Sequence, residues 1–154
     1  MVAFVAGQKI RASDLNKLVS RVGSLTTSAT GISGVAGTET MGDTLTVSGL
    51  VSGDLYRVAY DCVLNCTVNG NYFEMRMRYA TGATVTTAGT SFRVIPQTVV
   101  TQGNWEPEKH LVGEFTAPSS GQFTVGISLK RTAGAGTGAV VAERFISVDR
   151  VQAA

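Results

Sequence analysis

The sequence predicts an all-β fold, an antiparallel β-sandwich of jelly-roll type with a short N-terminal helix and arm. Three observations predict it. Apolar residues recur with a period of two over 55–80: Tyr56, Val58, Tyr60, Cys62, Leu64, Cys66 and Val68, then Phe73, Met75, Met77 and Tyr79. That spacing puts every second side chain on one face of a strand. Glycine supplies 18 of the 154 residues, well above its ordinary share. Turn signals at Ser52-Gly53-Asp54, Asn69-Gly70, Thr81-Gly82 and Pro118-Ser119-Ser120-Gly121 divide short apolar segments, a pattern of seven to nine strands. Helical periodicity, by contrast, occurs in one short stretch.

That stretch begins at Ser13, a residue able to cap a helix, with Asp14 in the first turn where a negative charge suits the helix dipole. Leu15, Leu18, Val19 and Val22 follow at i, i+3, i+4 and i+7, and Gly23 is a natural stop. Leu15, Leu18, Val22 and Leu25 also fit a/d spacing. A helix this short is not stable alone in water, so its stripe must rest on something. One reading has it cap its own domain; the other makes Phe4, Leu15, Leu18, Val19, Val22 and Leu25 an anchor against another protein or further copies of the chain. Residues 25–43, LTTSATGISGVAGTETMGD, are poor in charge and rich in Gly, Ser and Thr, and read as a linker or extended arm. The expected organisation is an anchor over 1–31, a linker over 32–43 and a sandwich over 44–154.

Within the sandwich, Leu45 and Val47 alternate with Thr44, Thr46 and Ser48 in a first core strand. The 55–80 stretch reads as a hairpin, because Asn-Gly tolerates the positive φ angles of a tight two-residue turn. That register pairs Cys66 with Phe73, Leu64 with Met75, Cys62 with Met77 and Tyr60 with Tyr79. On the opposite face it pairs Asn65 with Glu74, Val63 with Arg76 and Asp61 with Arg78, the last an ion pair. One or two strands are expected around Phe92, Val94 and Ile95, with Pro96 placing them at an edge or bulge. Leu111, Gly113 and Phe115 form another, and Phe123, Val125, Ile127 and Leu129 the cleanest after the hairpin. Residues 133–138, AGAGTG, read as a flexible tip. In the last strand, Val141 and Phe145 fall out of phase with Ile146 and Val148, as a bulge would produce.

Few chemistries fit this chain. A net charge of +2 is too small to imply a nucleic-acid or membrane partner, and no apolar run approaches the roughly 20 residues that span a bilayer. The opening, MVAFVAGQKIRAS, is interrupted by Gly7, Gln8 and Lys9 before an h-region of signal-peptide length can form, so use without secretion is expected. Cys62 and Cys66 stand four apart on one strand, about 13 Å, beyond the roughly 7 Å that a disulfide between them would need. Both read as core residues. With His110 the sole histidine, a zinc site lacks ligands. Asn65-Cys66-Thr67 matches a glycosylation sequon but lies mid-strand. Gly134, Gly136 and Gly138 are followed by no helix pattern, which argues against a phosphate cradle, and no G-x-S-x-G elbow exists. No cofactor is expected. The polar loop QGNWEPEKH over 102–110 holds Trp105, Glu106, Glu108 and His110. Its two acids read as a solvated tip rather than a glycosidase pair, and Trp105 offers either packing surface or a flat face for a sugar. A non-enzymatic protein is expected, with carbohydrate the ligand class open to this loop.

The opening also resembles that of structural proteins of tailed bacteriophages, especially those of actinobacterial hosts. These begin with an aromatic residue, a nearby Gly and an Ala-x-Asp-Leu-Asn helix start, here Phe4, Gly7, Ala12, Asp14, Leu15 and Asn16. A Gly-x-x-Tyr-Arg-Val strand is matched by Gly53, Tyr56, Arg57 and Val58, and a glycine-rich tip after a basic strand end by Arg131, Gly134 and Gly136. Where that group carries a Val-Glu-Asp-like terminal strand, this chain has Ser147-Val148-Asp149-Arg150. The resemblance implies a virion structural protein with a jelly-roll-like domain, usually oligomeric; a homotrimer assembled in the host cytoplasm is expected. The expected role is a capsid decoration protein that docks on the major capsid protein or other virion proteins through its first 30 or so residues. The alternative is a tail-associated receptor- or carbohydrate-binding protein.

Overall fold

The computed structural model describes residues 20–27, 31–68, 70–99 and 109–152. Eight strands run in order: β1 (Ser20–Thr27), β2 (Thr40–Leu50), β3 (Leu55–Cys66), β4 (Asn71–Thr81), β5 (Thr90–Val99), β6 (Lys109–Thr116), β7 (Gly121–Ala133) and β8 (Gly138–Gln152). They form two four-stranded sheets, β1-β8-β3-β6 and β2-β7-β4-β5. Ladders join β1 to β8, β2 to β7, β3 to β6 and β4 to β5, all antiparallel. This is the order of a long ribbon wound on itself, a jelly roll. Between the sheets lie Tyr56, Val58, Tyr60, Leu64, Phe73, Met75, Met77, Phe123, Ile127 and Leu129, each no more than 1% exposed.

The 55–80 stretch alternates as its sequence predicts, but it is not a hairpin. β3 pairs with β6 and β8, and β4 with β5 and β7, so the two strands lie in opposite sheets. Period-two burial is the same whether two strands lie side by side or face each other across a core, so the apolar pattern cannot tell the two apart. The connection decides. Gly70 does adopt a positive φ, 74°, but Thr67 donates its backbone N–H to Thr137 O (3.0 Å) and Asn71, fully buried, accepts from the Gly136 N–H (3.2 Å). The crossing is thus held on the 133–138 segment. A Cβ on Gly134 would fall 1.9 Å from Asn71 Oδ1, so the glycine-rich tip is there for close packing. The expected Asp61–Arg78 ion pair is replaced by Asp61 with His110 and Arg78 with Glu39.

The N-terminal boundaries also shift. Val22 and Leu25 belong to β1, an edge strand laddered to β8, rather than to a helix or an arm outside the sandwich. Val22, Gly23, Thr26 and Thr27 are weak helix formers, and β8 offers their backbone groups partners. Phe4, Ser13, Asp14, Leu15, Leu18 and Val19 lie outside the described residues. Nor is 32–43 a linker: Val35 is 1% exposed and exchanges backbone hydrogen bonds with Gly138, and β2 starts at Thr40. A low-charge Gly/Ser/Thr segment looks the same in sequence whether it is solvated or laid along a core. Other expectations match the structure: β5, with Pro96, is an edge strand.

The bulge expected in the last strand is present. Three residues between Val141 and Phe145 stand against one between Asp61 and Val63, and Glu143 takes φ 59°. Because two residues are extra, Val140 and Ile146 keep one phase, and Arg144 between them is turned inward to 3% exposure. There its guanidinium grips Asp43 of β2 through both oxygens, at 2.6 and 3.1 Å, while the Tyr60 hydroxyl donates to Asp43 Oδ2 at 2.6 Å. The bond to Asp43 holds the Arg144 cation above its already high pKa, against the opposing effect of burial. Burial first, and then donation to Asp43, push the Tyr60 phenol well above its ordinary range. The cluster ties the two sheets together beside the edge strands β1 and β2.

Two predictions follow from the buried charges. Removing one partner strands the other in a low dielectric, so Arg144→Met should cost about 3 kcal/mol or more in urea unfolding. The Asp43→Ala, Arg144→Met pair should cost less than the sum of the singles, and strict additivity would refute the coupling. Glu39 is the second case. Burial raises its pKa, but hydrogen bonds from Arg78 and Ser128 and the charges of Arg78 and Arg76 outweigh this and leave it below 4.5. A folded pKa below the unfolded one contributes stability above about pH 4.5 that is lost as pH falls through the folded value. Glu39→Gln should therefore flatten the loss of stability on acidification below that pH, and an unchanged acid limb in denaturation curves would contradict it.

Candidate functional site

The outer faces of the two sheets differ. On the β2-β7-β4-β5 sheet, the 82–89 loop folds back over the strands. Thr124 donates to Gly82 O at 2.8 Å, Arg78 to Gly89 O at 2.6 Å, and Val85, 7% exposed, sits on Gly126. A Cβ at Gly126 would come within 2.7 Å of both Val85 and Met41. Beside this strap, Glu39 takes a bidentate pair from Arg78 (2.8 and 3.1 Å) and accepts from Ser128. Consequently β7 is buried on both faces from Phe123 to Leu129.

Among the described residues no such cover lies on the other sheet. Its register aligns three cross-strand pairs between β3 and β6 on the outward face: Arg57 with Glu114, Ala59 with Val112 and Asp61 with His110. The first is an ion pair at 2.8 Å, and in the third His110 Nδ1 lies 2.5 Å from Asp61 Oδ1. Two polar pairs therefore flank a small apolar floor. Elsewhere on this sheet, across β1 and β8, Arg21 is ion-paired with Asp149 and lays its guanidinium 5.7 Å from the centre of the Phe145 ring. A further side of the cleft comes from β5. Phe92 is the extra residue of a bulge opposite Met77 and Arg78, which brings Phe92 and Arg93 together toward β6. Gly113 permits this, since a Cβ there would stand 2.9 Å from Arg93 Cβ and Phe92 Cε2. Phe92 is held by Phe115 and Tyr79, at ring separations of 5.3 and 6.1 Å. The result is a cleft of about 550 Å³ lined by Arg57, Ala59, Phe92, Arg93, His110, Val112, Gly113 and Glu114.

Of the residues expected to form a ligand loop, His110 lies on the wall of this cleft; Trp105, Glu106 and Glu108 lie outside the described residues. Sequence reasoning missed Arg57, Arg93, Val112 and Glu114. Their signal was available only as polar residues alternating with core ones, which is equally the mark of any solvated face. Among the anchor residues, Val22 packs against the core and Leu25 is 40% exposed on the β1 edge.

Other chemistry is sparse. Among the described residues no group of three His, Cys, Asp or Glu is placed to hold a metal ion, and no helix is long and apolar enough to cross a membrane. Both cysteines are buried. Burial, with the charges of Asp43 and Asp61 adding to it, pushes the Cys62 thiol up to about 12, so little of the nucleophilic thiolate exists at neutral pH. Cys62 should therefore resist iodoacetamide in the native protein at mildly alkaline pH and react promptly once unfolded. Rapid native labelling of Cys62, seen by peptide mass spectrometry, would contradict this.

No protein-family model matches the sequence, and no curated protein matches it. Solved structures to which the chain is similar include TmCBM61 in complex with β-1,4-galactotriose, at 11% identity over 86% of each chain with a TM-score of 0.41. Another is the CBM22-1 xylan-binding domain from Paenibacillus barcinonensis Xyn10C, at 10% identity over 90% of this chain and 99% of that one, TM-score 0.42. A third is the VP2 subviral particle of infectious bursal disease virus, at 8% identity over 88% of this chain and 38% of that one, TM-score 0.41. These are likenesses of outline; the strand order above rests on this chain's own ladders.

Proposed function

We propose that this chain is a non-catalytic structural protein of a tailed-bacteriophage virion, a capsid decoration protein that docks as a homotrimer through its leading residues. The resemblance of the opening residues and of the Gly53 to Val58 motif supports the virion assignment. One structural observation supports attachment through the N-terminus: β1 follows directly on Phe4, Leu15, Leu18 and Val19 in the chain and is laddered over its whole length to β8. A pull on the leading segment would pass straight into a sheet that the Arg144–Asp43 pair ties to its partner. Each leading apolar side chain buried against the shell contributes about 1.5 to 3 kcal/mol, multiplied over many copies.

The test is deletion of residues 2–19, which spares β1; a cut at residue 25 would remove most of an edge strand and confound attachment with folding. The truncated protein should keep the circular dichroism and urea midpoint of the full chain and be missing from purified particles of the parental virion. Undiminished occupancy would overturn the reading. A second reading, a tail-associated receptor- or carbohydrate-binding protein, is favoured by the cleft on the open sheet, with His110 in its wall.

A further inference from the structure

We infer that the cleft between β3, β5 and β6 binds an acidic saccharide, one sugar ring lying on Ala59 and Val112 with its carboxylate held by Arg93. The inference rests on the carbohydrate-binding reading and adds the site, the pose and the charge of the ligand.

The floor sets the shape. Ala59 and Val112 face each other across adjacent strands, about 5 Å apart, so they form an apolar patch the breadth of one pyranose ring. Val112 is 36% exposed on it. Two residues along each strand, about 7 Å away in either direction, stand the Arg57–Glu114 and His110–Asp61 pairs. Each of these offers a donor and an acceptor side by side. Sugar hydroxyls donate and accept at once, and the ring carries a C–H face, so a ring seated on the floor meets polar partners at both edges. A purely apolar ligand would leave those charges desolvated without compensation. Among the described residues a phosphate group would find neither a helix N-terminus nor a nest of backbone N–H groups to hold it.

Charge sets the class. Arg57 is neutralised by Glu114 and His110 leans on Asp61, but Arg93, exposed on the rim, makes no ion pair among the described residues. The root of its side chain is set beside β6, because the β5 bulge and Gly113 bring its backbone and Cβ close to that strand. A guanidinium carried on the rim is matched in shape by a carboxylate. A cleft of about 550 Å³ lies within the range of small-ligand sites and has room for one or two rings.

The experiment titrates the full-length protein, followed by ¹⁵N NMR and calorimetry, with three acidic probes and one neutral one. The acidic probes are oligogalacturonate, a glucuronate-containing hyaluronan oligomer and sialyllactose; the neutral probe is cello-oligosaccharide. At least one acidic probe should bind, shifting the amide signals of Ala59, Arg93 and Val112, and should bind at least about tenfold more tightly than the neutral one. Arg93→Gln should abolish that margin while leaving the urea midpoint unchanged, and Val112→Glu should remove binding of every probe. Equal binding of neutral and acidic sugars, or an Arg93→Gln variant as selective as the parent, would overturn the acidic-ligand inference and leave the carbohydrate reading standing. No binding by any probe at millimolar concentration would overturn both.

Discussion

The arrangement of this protein depends on one constraint: β3 and β4, which follow one another in the chain and carry matching apolar faces, meet face to face across the core and not edge to edge. Once the chain crosses between sheets at 67–70, β3 is free to take β6 and β8 as neighbours and β4 to take β5 and β7. Every later pairing follows from winding that ribbon shut. The β4–β5 connection is the exception, the single place where sequence neighbours share a sheet. Its 82–89 loop is accordingly long enough to fold back and bury the outer face beside it. Among the described residues, one sheet thereby becomes a closed wall and the other an open one.

Buried charge fastens the ends of this design. Arg144 reaches Asp43 because a bulge in β8 turns it inward, and β2 is itself irregular between Met41 and Thr44, beside Asp43. A pair this dry gives less net stability than well-packed apolar residues would. What it does provide is a directional contact between sheets that a uniform core of Val, Leu and Met lacks. Glu39 performs a comparable task on the closed face, where it joins Arg78 of β4 to Ser128 of β7.

The cleft and β1, the strand that follows the proposed anchor in the chain, lie at opposite edges of the sandwich. Strands β1 and β2 form one side, while β5 and β6 form the other. A module held through its first edge would therefore present the cleft away from whatever holds it. Attachment and ligand binding are compatible in one molecule, and the tests above separate them.

By itself, the sequence determined that the segments around Leu45, over 55–80, and around Phe92, Leu111, Phe123 and Ile146 are strand, which face of the 55–80 stretch is buried, that Pro96 sits at an edge and that the last strand bulges. Those features follow from local periodicity and local backbone chemistry, both written in consecutive residues. Tertiary structure alone decided which strand lies beside which, because an alternating apolar face fits a sheet neighbour and a cross-core neighbour equally well. It turned Val22 and Leu25 into strand residues, since β8 supplies partners that no nearby residue could. It also made a site from Arg57, Val112, Glu114 and Arg93, whose meeting depends on the β3–β6 register and on a glycine at 113 that lets a strand of the other sheet come close.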